Sequence, residues 1–154
     1  MKQMKLGESD MASLRPVSRS GWTERKAPGL EDFEVMASEV LAGLPDDLLL
    51  RCGHLQISLA EYAPDEVLDE LAIEDPHDLL GLFEGSGLTE AGEADRTGQM
   101  PNRIWLYRRP ILDYWAAMDE TLGDVVAHVL IHEIGHHFGL SDHDMERIEA
   151  AADR

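Results

Sequence analysis

The sequence predicts an α+β fold, and three observations predict it. Short segments of strand length and period alternate with segments of helical period. One segment, 122–138, is apolar round nearly the whole helical circumference, which marks a helix buried on most sides. A chain of 154 residues is long enough for one hydrophobic core, but too short for two lobes with a wide cleft between them.

Residues 1–30 are polar, with Ser, Gly, Pro and scattered charge, and read as a disordered basic tail in which Trp22 stays exposed. Order is expected from about Leu30, so the domain is 31–154. Phe33, Met36, Val40, Leu41 and Leu44 recur at helical spacing until Pro45 stops the pattern. Asp46–Leu50 reads as a turn or short helix. His54–Ala60 alternates: Leu55, Ile57 and Leu59 point one way, His54, Gln56 and Ser58 the other, as in a half-buried strand. Pro64 opens a short helix over Asp65–Ala72. The apolar run Leu79–Phe83 is a second strand, and 85–102 is a Gly-rich polar loop placed to cover an active site. Ile104–Tyr107 is a third strand, and Pro110 opens a short helix through Ala117. Thr121 and Asp124 have capping-box spacing at the head of the buried helix, with Asp in place of the usual Glu or Gln. Gly139 ends that helix, and Ser141 or Asp142 caps a last acidic helix to about Ala151.

The net charge of −18 is unevenly spread. The tail holds six Lys/Arg against three acids. Residues 31–154 hold seven Lys/Arg against 28 Asp/Glu, a balance of −21. So acidic a body repels phosphate backbones and argues against nucleic acid as a partner. Its simplest role is solubility. A single cysteine, Cys52, excludes an intramolecular disulfide and a thiolate zinc cluster. No run approaches the roughly 20 apolar residues of a membrane span, and no signal-peptide pattern stands at the N-terminus. A cytoplasmic monomer without membrane contact is the expectation.

The chemistry lies in His132-Glu133-Ile134-Gly135-His136-His137-Phe138-Gly139-Leu140-Ser141-Asp142-His143. His132 and His136 are four apart on a helix, so both imidazoles reach one tetrahedral ion. Glu133 lies about 100° round the helix from His132, beside the ion without ligating it. Zinc lowers the pKa of its water to about 7, and Glu133 takes that proton during attack on a carbonyl and returns it to the leaving amine. An HExxH alone occurs by chance. Here it falls on a helix expected from its apolar pattern, with a glycine break and a carboxylate following. Asp142 is the preferred third ligand, giving HExxHxxGxxD. His143, Asp144 and Glu146 are rivals, and Asp142 also suits an N-cap. His128, one turn before His132, reads as a supporting or surface histidine, and His137 as a residue at the core edge. Tyr107, Tyr114 and His143 are weak candidates for an oxyanion donor. Arg103, Arg108 and Arg109 read as balancing the acidic surface.

Over residues 31–151 the chain resembles the minimal zincin-like metallopeptidases of bacteria. The resemblance rests on Leu44-Pro45, the strand His54–Glu61, Leu80-Gly81-Leu82-Phe83-Glu84-Gly85, Pro101-Asn102-Arg103-Ile104-Trp105-Leu106-Tyr107 and the His132–Asp142 motif. It implies a compact fold with a small sheet, about three strands, packed on the active-site helix and flanked by other helices. It also implies zinc held at His132, His136 and Asp142, with Glu133 as base and a peptide or protein as substrate. His143, directly after Asp142, leaves the third ligand open. Two other functions compete with the peptidase. One is a metal-binding or interaction module that keeps the motif without turnover. The other is an acidic protein that binds a basic surface, with a salt-sensitive and chelator-insensitive affinity.

Overall fold

A computed structural model describes residues 21–85 and 102–152. Most of the proposed tail, 1–20, and the interior of the expected loop, 86–101, lie outside the described residues. The elements are α1 (Leu30–Ala42), α2 (Asp46–Cys52), β1 (Leu55–Ala60), α3 (Asp65–Glu70), a 3-10 turn (Pro76–Asp78), β2 (Gly81–Glu84), β3 (Asn102–Tyr107), α4 (Arg108–Ala117), α5 (Leu122–Phe138) and α6 (Asp142–Ala152).

The sheet has three strands in the order β1-β3-β2, with β1 parallel and β2 antiparallel to β3. This is the mixed small sheet of a compact minimal zincin-like α+β fold. Successive side chains of β3 alternate between its faces. Ile104 and Leu106 enter the main core with Phe33 and Ala37 of α1, Ile111 of α4, and Val125, Val126, Leu130, Ile131 and Ile134 of α5. Trp105 and Tyr107 take the opposite face, where Ala63 and Leu68 form a second, smaller cluster. The long apolar helix is therefore the one that the sheet and α1 cover, as its all-round pattern requires.

Several boundaries differ from the sequence reading: β2 runs Gly81–Glu84 rather than Leu79–Phe83, and α3 ends at Glu70 rather than Ala72. The third strand starts at Asn102 because the buried Asn102 side chain donates to the Cys52 carbonyl (2.9 Å), fixing the strand entry beside the end of α2. The Cys52 thiol itself is buried, and burial pushes its pKa up to about 11. The fourth helix starts at Arg108, with Pro110 as its third residue. Proline is tolerated there because a first-turn N–H has no helical acceptor. Arg108 ties the segment before α1 to the domain. Its Nε donates to the Pro28 carbonyl (2.6 Å), and its guanidinium pairs with Glu61 (2.9 Å). Trp22 rests near Trp115, with ring centroids 6.5 Å apart. Among the described residues, no helix is long and apolar enough to cross a membrane.

Candidate metal centre

The helix that carries the motif is defined at both ends. The Thr121 hydroxyl accepts the Asp124 N–H (3.1 Å) at its start. Gly139, at φ 67°, ends it in the left-handed region that favours glycine. Ser141, not Asp142, caps α6: its hydroxyl accepts the Asp144 N–H (3.1 Å) and donates to the Asp144 carboxylate (2.8 Å).

The chain then folds back on itself. Met145 packs under Gly135, where a side chain on the helix would collide with it. One turn further along α6, Glu149 reaches His132 and His128 of α5. The contacts step up one helix as they step down the other, as in an antiparallel helical hairpin. Met145 is almost wholly buried (1% exposed), so it fixes the register that brings Glu149 to the histidines.

Glu149 Oε1 lies 2.9 Å from His132 Nε2 and 3.0 Å from His128 Nδ1. The ligand atoms of these three residues all fall within 4.8 Å of one another. Oε1 is nonetheless buried without a hydrogen-bond partner. The two nitrogens are at ion-pair distance but approach the oxygen at poor hydrogen-bond angles, and the His132 contact still works to raise the His132 pKa. Buried carboxylate oxygens are rarely left in this state. Two imidazoles and a carboxylate are a donor set that zinc takes, and an ion between them would satisfy that oxygen. The cluster is geometrically suited to hold a metal ion.

His136 stands one turn on from His132. Their rings are 5.8 Å apart and nearly perpendicular (83°), and His136 is exposed. Burial lowers the His132 pKa, and the neighbouring His128 lowers it further, while Glu149 works in the opposite direction.

Glu133 points to the other flank, towards β2. In an antiparallel pair the residues that exchange ladder hydrogen bonds alternate. Tyr107 N–H donates to the Leu80 carbonyl (3.0 Å), which puts Leu80 and Leu82 in the bonded set. Phe83 therefore turns its N–H away from β3 and towards the Glu133 carboxylate, whose pKa it works to lower. Burial raises the Glu133 pKa, against the opposing pull of His136 and of that Phe83 N–H. His137 stacks on the Phe83 ring (centroids 3.9 Å, 18°), and so clamps the same strand to the end of α5.

The third-ligand candidates separate. Asp142 is exposed at the head of α6. Asp144 is engaged with Ser141, whose hydrogen bonds lower its pKa, and with Arg147 at 3.5 Å. His143 and Glu146 are exposed. None of these four joins the cluster found among the described residues. Tyr107 is buried, and its hydroxyl is pushed up to about 12 by burial and by the charges of Glu84 and Glu133. Tyr114 packs against the main core.

Glu149 is the residue that the sequence reading missed. A signal for it existed: it follows Met145 by four positions, so it shares a face with an apolar residue that turns inward to α5.

No curated relative matches the chain. Residues 52–152, which span β1 to α6 and include the whole motif, match the family model of the zincin-like metallopeptidases. With the sheet, the motif helix and a metal-suited cluster inside that span, the chain belongs to the zincin-like metallopeptidase family.

Proposed function

We propose that the protein is a zinc-dependent peptidase, with His132 and His136 as imidazole ligands, Asp142 as the third ligand and Glu133 as general base. The observation that carries this reading is the setting of Glu133. Its carboxylate neighbours the His132–His136 pair, faces the Phe83 N–H, and has a pKa raised by burial. A base works best when its pKa lies near the operating pH, and the shift is in that direction. A site that only held metal would have no use for such a group.

Bound zinc supplies Lewis acidity and a water with a pKa of about 7. Glu133 takes the proton of the attacking water and hands it to the leaving nitrogen. The Phe83 N–H holds the carboxylate in place for both transfers, and the His137–Phe83 stack holds the strand that presents that N–H. His132 and His136 project from a helix locked by its core packing, so their spacing is preset.

The test is cleavage of a mixed peptide library by zinc-loaded wild type and by Glu133→Gln. The variant should keep its zinc and lose about 10²–10⁴-fold in rate. Equal rates with zinc bound would overturn the peptidase reading and favour the metal-binding module instead. Loss of zinc in Glu133→Gln would contradict its assignment as a group outside the ligand set.

A further inference from the structure

Three histidines stand one turn apart along α5: His128, His132 and His136. The proposed catalytic site uses the last two. The structure brings a carboxylate, Glu149 of α6, to the first two. His128 and Glu149 lie outside the motif and have no part in the proposed hydrolysis.

From this we infer that His128, His132 and Glu149 form a second cation station for zinc or a similar transition metal, overlapping the catalytic one and exclusive with it. The exclusivity rests on the proposed function, because it assumes that His132 also serves the catalytic pair. The station itself does not.

The donors support it chemically: two imidazole nitrogens and one carboxylate oxygen within 4.8 Å of one another suit a borderline-soft divalent ion. The orphaned Glu149 Oε1 supports it structurally. A pair of ordinary ion pairs would satisfy this buried oxygen with well-aligned hydrogen bonds, whereas here the two nitrogens, 2.9 and 3.0 Å away, approach it off-line. His132 is common to both stations, so an ion at one denies this ligand to the other.

An ion at the second station is catalytically idle. At about 100° per residue, the bearing midway between His128 and His132 lies about 120° round the helix from Glu133, against about 80° for His132 and His136. The ion also sits a turn further back, against α6, while Glu133 faces β2. The share of zinc at the second station is therefore withheld from turnover.

The experiment measures zinc per chain, by elemental analysis of the full-length protein after equilibration with zinc and removal of the excess. Circular dichroism checks that each variant is folded. Wild type should hold one zinc. His136→Ala and, as a second variant, His136→Gln should each still hold one. Adding His128→Ala and Glu149→Gln to His136→Ala should remove it. If both His136 variants lose zinc that wild type keeps, the second station is overturned and the catalytic assignment survives. If His128→Ala with Glu149→Gln strips zinc from the wild-type background and His136 variants change nothing, the station stands and the catalytic assignment falls. Two zinc ions per wild-type chain would overturn exclusivity, and none would overturn both sites.

Discussion

The two flanks of α5 are held by opposite means. On the β2 flank the contact is steric. A methyl group on Gly81 would lie 2.8 Å from Val129 Cγ1 and 3.0 Å from the Trp105 carbonyl, so the strand lies directly on the helix beside Glu133. On the α6 flank Met145 is the fully buried apolar contact, against Gly135, with Ile148 partly buried beside the core, and beyond it the two helices meet through imidazoles and a carboxylate with a poorly met demand. The difference separates immobility from binding. The flank that aims the proposed base has no spare room, and the flank that offers ligands presents two imidazoles and a carboxylate suited to an ion. Substitutions on the two flanks should therefore fall into distinct classes of effect.

The largest effect should come from the apolar anchor of the α6 flank. Met145→Ala empties a site that is almost wholly buried, and should lower unfolding free energy by about 2–5 kcal/mol in urea denaturation. It should also weaken zinc binding, because Met145 sets the register that delivers Glu149. A loss of stability with zinc affinity unchanged would show that α6 docks by some other contact.

This anchor also marks where the sequence stopped being legible. α5 was readable end to end because its determinants are local: the Thr121 cap, an apolar circumference and the Gly139 stop. The His132–His136 spacing is local for the same reason, and so is the position of Glu133 beside it. The three strands were readable from their composition, but their pairing was not. The orientation of the Phe83 N–H follows from the register of β2 on β3, and register is a non-local property. Glu149 is a harder case. It meets His132 across 17 positions of sequence, through a return path fixed by Met145 packing into the space that Gly135 leaves. Each residue is visible as a type, but the contact exists only once the hairpin closes. Asp142 shows the converse. Its spacing after the motif is legible, while the structure sets it at an exposed helix head outside the cluster.

A smaller effect is expected on the β2 flank. Gly81→Ala adds one methyl group between Val129 and the backbone of Trp105, and backbone cannot step aside as a flexible side-chain end can. Overpacking of this kind should cost about 1–3 kcal/mol, read as a lower thermal midpoint. The same shift moves Phe83 relative to Glu133, so peptide cleavage should fall while zinc content stays at the wild-type level. Equal losses of zinc and activity would mean that the two flanks are not independent, and the comparison would fail there.

The smallest effect on stability should come from the polar end of the α6 flank, with zinc removed by chelator. Glu149→Met keeps the length of the side chain and discards a buried oxygen that has no well-aligned hydrogen-bond partner. Replacing both the charge and its unmet demand with an apolar group of similar shape is often neutral or stabilising. The metal-free thermal midpoint should therefore hold or rise, with a change within about 1 kcal/mol in unfolding free energy. Met145→Ala, four residues earlier on the same face, sets the scale for this result. If Glu149→Met destabilised the metal-free protein as much as Met145→Ala does, the His128–His132–Glu149 contacts would be holding the hairpin together as ordinary ion pairs. The α6 flank would then be a structural joint, and its likeness to a ligand set would be incidental. If the two substitutions separate as expected, the carboxylate is kept at that position at no benefit to the metal-free fold, which is the behaviour of a residue placed there for an ion.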